Sequence, residues 1–298
     1  MNGSTIEHMM QQLNATTDLA ERRRTAKEII EEITTPEMVS KAVALAKNSL
    51  EDALKDRQTG ELGTYLDVND PEQVVALIEI VHQCLEAGGD LSGFITPVAR
   101  LHHLDRKESA KTDTELYLQY RAAALLDALL AAEVPFPDEA VQLILAAGKR
   151  YVKDKATEQY ICSIHWRLAE SGVNISGAIP SLVTIFKNGE TSELVHYSLL
   201  ALWAAVRQGY FDTRIPDSDQ SYQVWLKHLI SNSTYKLKKK EEPHQLGIIG
   251  CLIETVRTYP EYKALAAEYL EQCKIREPKR PTTDFQHDLK QYFDLCRE

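Results

Sequence analysis

The 298 residues include only 13 Gly and 11 Pro, a thin supply of turn formers for a chain of this length. A β-sandwich or barrel needs turn signals at short, regular intervals, so the shortage argues for helices joined by brief connections. Cysteine is scarce too. Cys84, Cys162, Cys251, Cys273 and Cys296 are odd in number, far apart and set in helical patterns. That excludes a disulfide framework and a CxxC metal site, and it predicts buried or half-buried thiols in a reducing, cytoplasmic setting. Long apolar runs are missing: the longest stretch without a charge, Leu194 to Val206, contains His196 and Ser198. It is too short to cross about 30 Å of hydrocarbon. Met1 to Asn14 has no basic segment followed by an apolar core, so a secretory signal is not expected. Cations are in deficit, 34 Lys+Arg against 44 Asp+Glu for a formal net charge of -10. This disfavours unaided binding to nucleic acid or to an anionic membrane, both of which need clustered cations. Catalytic signatures are absent as well: there is no GxSxG, glycine-rich phosphate loop, HExxH or EF-hand loop. No cofactor and no metal site are therefore expected.

What is present is a globular composition, 44% hydrophobic and 26% charged, written almost throughout with helical period. Val74, Leu77, Ile78, Val81 and Leu85 form an i, i+3, i+4, i+7 stripe. Similar stripes run through Leu118, Ala122, Leu125 and Leu129, through Tyr160, Ile164 and Leu168, and through Leu194, Tyr197, Leu200 and Ala201. Others are Ile248, Leu252, Val256 and Leu265, Tyr269, Leu270. Thr35-Pro36-Glu37 and Asp70-Pro71-Glu72 place a capping residue before a proline and an acid in the first turn. Pro137-Asp138-Glu139 and Tyr259-Pro260-Glu261 follow the same grammar, while Gly88, Gly172, Gly189 and Gly209 stand where helices end.

The helices then pair. First helices are predicted near 71–87, 115–133, 157–171, 191–208 and 243–258, and second helices near 93–104, 138–154, 177–188, 218–231 and 260–274. Successive pairs start about 34 to 52 residues apart, which brackets the helical-repeat period of about 40–47. Two junctions also match in residues. Glu86-Ala87-Gly88-Gly89-Asp90-Leu91-Ser92-Gly93 aligns without gaps on Glu170-Ser171-Gly172-Val173-Asn174-Ile175-Ser176-Gly177, an offset of 84 (172 minus 88).

On these residues the chain resembles the HEAT-repeat family, especially its short bacterial-type units. Tyr120-Arg121-Ala122-Ala123-Ala124-Leu125-Leu126 and Tyr197-Ser198-Leu199-Leu200-Ala201-Leu202 look like the small-residue first helix. Ile95-Thr96-Pro97-Val98-Ala99-Arg100-Leu101 and Ile179-Pro180-Ser181-Leu182-Val183-Thr184-Ile185 look like the proline-bearing second helix. The chain departs from the family at Val195-His196 and Leu118-Gln119, where a Val-Arg pair is common, and it lacks the regular Asp/Arg ladder. The resemblance implies an all-α fold, a right-handed α-solenoid of about five to seven antiparallel helix pairs with capping helices at both ends. The domains expected are N-terminal capping helices and loop over 1–69, HEAT-like repeats over 70–275, and a linker with a short helix over 276–298.

Candidate functional residues follow from helix phase. His102 and His103 point about 100° apart and cannot share one metal; the first falls on the packed stripe and the second faces outward. His165 beside Trp166, and His228 near Trp225, read as packing residues. Lys236-Leu237-Lys238-Lys239-Lys240, answered by Glu241-Glu242, reads as a solvated loop run. The first helices carry ten acids and four bases, whereas the second helices are near neutral. In the family the second helices line the concave groove. Their positions opposite the apolar stripe are Thr96, Arg100 and His103; Gln142, Lys149 and Lys153; Thr184 and Lys187; Gln223 and Lys227; and Lys263. These form the expected partner-binding row. The function expected is that of a non-catalytic protein-binding module: a scaffold, an adaptor or a cognate inhibitor such as a bacterial immunity protein. Its acidic balance suits a protein partner with a basic surface. Two alternatives come with the resemblance, a phycobilin lyase subunit and a HEAT-like DNA glycosylase. No cysteine or histidine specifies chromophore attachment, and the groove lacks the basic, aromatic surface that a glycosylase needs.

Overall fold

A computed structural model describes residues 4–55, 70–102, 112–147, 154–216, 218–238 and 244–297. Among them are fourteen α-helices and no strand, the one β-type contact being an isolated antiparallel bridge between Arg214 and Ser221. The helices are α1 (Ser4–Ala15), α2 (Leu19–Glu32), α3 (Pro36–Lys55), α4 (Pro71–Glu86), α5 (Ile95–His102), α6 (Asp113–Ala131) and α7 (Asp138–Ala147). They continue as α8 (Lys155–Glu170), α9 (Ile179–Asn188), α10 (Ser192–Arg207), α11 (Gln223–Leu237), α12 (Gln245–Thr258), α13 (Lys263–Gln272) and α14 (Asp284–Arg297).

The capping chemistry read from the sequence does set the starts. Asp70 accepts from the Gln73 amide at 3.1 Å, with Pro71 opening α4, and Thr35 accepts from the Met38 amide at 3.3 Å ahead of α3. The helix expected from 115 opens at Asp113 behind a Thr112–Glu115 capping box, a Thr-x-x-Glu start. One boundary needs correction: the second helix expected at 218–231 is α11, Gln223–Leu237. Ser218 to Ser221 resemble a capping start, but they belong to a turn in which the Ile215 amide donates to the Gln220 carbonyl and the Tyr222 amide to that of Thr213.

The chain forms two compact units, one holding α1 to α7 and α8 as far as Tyr160, the other running from Ile161 onward. In the first unit the even-numbered helices α2, α4 and α6 pack side by side, as do the odd-numbered α1, α3, α5 and α7. Cross-contacts α1–α2, α3–α4 and α5–α6 join the two layers. The second unit repeats the scheme, with α10, α12 and α14 in one layer, α9, α11 and α13 in the other, and α9–α10, α11–α12 and α13–α14 between them. Each layer buries small and aliphatic side chains against the other, Leu77, Leu118, Leu125, Val98 and Leu101 in the first unit and Leu199, Leu202, Leu226, Ile230 and Leu252 in the second.

The matching junctions are the same structure. Gly88 (φ 81°) and Gly172 (φ 86°) take the left-handed conformation that ends α4 and α8. The amide after each donates five residues back, Gly89 to Cys84 at 2.8 Å and Val173 to Leu168 at 2.9 Å. Asp90 and Asn174 then accept from the amides of Ser92 and Ser176, while Leu91 and Ile175 are buried below. A single 3-10 turn follows, Ser92–Phe94 or Ser176–Ala178, before the second helix at Ile95 or Ile179. The 3-10 turn alone recurs a third time at the same 84-residue interval, as Pro260–Tyr262 before Lys263 and over the buried Tyr259, without the left-handed glycine. Glu133 (φ 57°) and Gly209 (φ 70°) end α6 and α10 in the left-handed region as well.

Candidate functional site

In the first unit, Arg100 of α5 is half-buried and donates to Glu139 of α7 at 2.5 Å, with Gln142 exposed one turn further along α7. This places Arg100 in the cement between adjacent odd-numbered helices as well as on the expected row. In the second unit, Lys187 on α9 and Lys227 on α11 are exposed, and Gln223 on α11 and Lys263 on α13 are half-buried. Since α9 and α13 both pack on α11, neighbouring helices carry these four positions. His103, Lys149 and Lys153 lie outside the described residues.

Two readings change. His228 is exposed rather than packed, its ring 5.5 Å from that of Trp225. Lys236 is not a solvated loop lysine. It lies on the buried side of α11, 7% exposed, with its ammonium 5.3 Å from the Phe186 ring of α9. A long aliphatic stem lets lysine cover apolar surface there while the aromatic face compensates the charge. By contrast, His102 and His165 are buried as the helix phase predicts.

The even-numbered helices hold an arrangement that helix phase alone did not single out. In the first unit, Glu79 of α4 accepts from the Tyr117 hydroxyl at 3.3 Å and faces the Arg121 guanidinium of α6 at 3.6 Å. Tyr117 stacks on Tyr120 at 5.9 Å, and Tyr120 meets Tyr160 edge-on at 5.6 Å. Burial, followed by the nearby Arg121 charge, holds the His82 imidazole below its ordinary pKa. In the second unit, Arg207 of α10 pairs with Glu170 of α8 and lies 5.7 Å from the Trp203 ring. Trp166 and Tyr197 approach at 6.4 Å, and Tyr197 and His196 at 5.3 Å. The His196 ring is also 5.4 Å from that of His244, which precedes α12. Burial, and secondarily the nearby His244, lowers the His196 pKa below its ordinary value. Aligning the helices on their left-handed ends would have exposed part of this pattern: His82, Asp127, Trp166 and Trp203 each stand six residues before such an end.

Carboxylates and guanidiniums are paired off between helices, and rings are spread along helix faces. Burial pushes the thiols of Cys84 and Cys251 up to about 11 and about 12, far from the thiolate form a nucleophile requires. Among the described residues no three His, Cys, Asp or Glu side chains converge to hold a metal ion, and no helix is long and apolar enough to cross a membrane.

No family model matches the chain, and no curated protein matches it. Among solved structures, an engineered protein aligns at 16% identity over 88% of this chain and 98% of its own, with a TM-score of 0.45. A second engineered protein aligns at 14% identity over 99% of this chain and 89% of its own, with a TM-score of 0.34. Scores this low support no conclusion about fold or function.

Proposed function

We propose that the chain is a non-catalytic protein-binding module, a HEAT-like solenoid of about five to seven antiparallel helix pairs that acts through its helix faces as a scaffold, adaptor or cognate inhibitor. The observation that carries this reading is the two-layer packing of alternate helices within each unit, together with a junction that recurs at one fixed interval. Such an arrangement creates broad ruled surfaces in place of a deep site, and function on such folds resides in those surfaces. The even-numbered helices provide the acidic side. Glu86 and Glu133 are exposed at the ends of α4 and α6, and Glu193 is exposed at the start of α10. A partner with a basic surface would be steered there. The odd-numbered helices provide polar positions in each unit, Arg100 and Gln142 in the first and Lys187, Gln223, Lys227 and Lys263 in the second.

The test is affinity capture from the source cells, followed by measurement of the captured partner's Kd for chains carrying Glu86→Lys with Glu133→Lys. Loss of roughly tenfold or more in affinity, steepest at low salt, is the expected result. A partner whose affinity is indifferent to both charge reversal and salt would overturn the acidic-surface reading.

A further inference from the structure

We infer that the outer side of α11, with the adjoining end of α9, docks an acidic amphipathic segment of a partner protein. In a chain of net charge -10, α9 and α11 pack on one another and neither contains an Asp or Glu. Between them they carry Lys187, Lys227 and Lys236, with Lys238 capping the end of α11. At 100° per residue, Val224, Lys227, His228, Ser231, Tyr235 and Lys238 fall on one side of α11, while Leu226, Leu229, Ile230, Ser233 and Leu237 are buried on the other. That outer side is not uniformly polar. Val224 is 44% and Tyr235 57% exposed, and the half-buried Trp225 lies against His228.

Cations interleaved with apolar side chains at helical spacing complement a helix bearing Glu or Asp between Leu or Phe positions. A basic segment would be repelled there, and an uncharged one would forgo the attraction of the exposed Lys187 and Lys227. The surroundings restrict the register. On α13, the next helix of the layer, Glu268 and Glu271 are exposed, and Glu190, Asp212 and Asp219 occupy described connecting segments beyond the helix ends. A docked acidic segment is thereby confined to the α9–α11 strip. The inference rests on the chain being a binding module, but not on the basic partner, which would use the even-numbered helices.

The experiment titrates the full chain into three fluorescein-labelled amphipathic peptides of one Leu pattern, with Glu, Gln or Lys at the polar positions, and follows anisotropy. The Glu peptide is expected to bind roughly tenfold or more tightly than the Gln peptide, with affinity falling as salt rises. Lys227→Glu with Tyr235→Ser, and separately Lys187→Glu, should each weaken it roughly tenfold at unchanged helix content and Tm. Equal binding of the Glu and Gln peptides, no binding of the Glu peptide, or indifference to both variants would overturn the proposal. So would tighter, Lys227-dependent binding of poly(U) or of anionic phospholipid vesicles, which would assign the strip to a different class of partner. Binding of the Lys peptide that is lost in the Glu86→Lys, Glu133→Lys chain reports on the acidic surface alone, so the two readings fail separately.

Discussion

His165 shows how one side chain can break a rule that its neighbours keep. At the 84-residue interval its counterparts are Val81 and Ile249, and all three are buried to 1% exposure or less. His165 Nδ1 donates to the Ile161 carbonyl at 2.6 Å, and its Nε2 has no hydrogen-bond partner. An unsatisfied buried polar atom costs about 1–3 kcal/mol, whereas an aliphatic group of similar size costs nothing of the kind. His165→Ile should therefore raise stability by about 1–2 kcal/mol at pH 7.5 in urea unfolding. The pH dependence has a definite sign. Burial lowers the folded-state pKa of His165, so below about 6.5 the unfolded chain binds a proton that the folded chain refuses. Stability is complete above that unfolded value and is lost as pH falls, and the advantage of the variant should widen at pH 5.5. A variant less stable than the parent at both pH values would show that the imidazole is held by interactions worth more than its desolvation.

At the scale of elements, Gly250 of α12 meets the Trp203 side chain of α10. A Cβ built on Gly250 would lie 2.7 Å from the Trp203 ring, so the missing side chain is what makes room for the indole. Gly-to-Ala inside a helix ordinarily stabilises by about 1 kcal/mol through backbone entropy. Here the clash should reverse that sign. Gly250→Ala is expected to destabilise by about 1–3 kcal/mol, with a change in Trp fluorescence, and a stabilised variant would contradict the packing. A second joint of this kind holds the first unit together. The buried Arg22 of α2 grips both oxygens of Asp70, the residue that caps α4, at 2.9 and 2.7 Å. Because Asp70 is 38% exposed on its side chain, the pair is part-solvated, and Arg22→Ala should cost about 2–3 kcal/mol in chemical unfolding, below the range for fully buried pairs. No loss would mean that water replaces the guanidinium.

These elements also mark where the sequence was readable. Starts at Asp70 and Thr35 were legible because a cap and a proline act locally, within four residues of chain. The start of α11 was not, because the bridge between Arg214 and Ser221 converts a capping-like cluster into a turn. Helix stripes told which side of each helix is buried, as at Val74, His102 and Leu125, but not which helix covers it; the burial of Lys236 under Phe186 depends on a neighbour 50 positions away in sequence. Of the candidate row, Lys187, Lys227 and Gln142 were recognisably outward-facing, whereas the engagement of Arg100 with Glu139 required knowing that α5 and α7 are adjacent.

For the whole molecule, the 3-10 turns that start at Ser92, Ser176 and Pro260 stand 84 residues apart, as a stack of four-helix blocks in the proposed solenoid would place them. Energies in such an array are sums over units and their nearest neighbours, so removal of an integral block leaves every remaining helix a matching surface. The direct measurement is circular dichroism with thermal unfolding on a chain lacking residues 92–175, which joins Leu91 to Ser176 at equivalent points of the repeat. The shortened chain is predicted to keep the oligomeric state and the helical ellipticity per residue of the parent and to unfold in one cooperative transition. Loss of helix, aggregation or a transition without cooperativity would show that the blocks are not interchangeable and that the chain is not a stack of repeats.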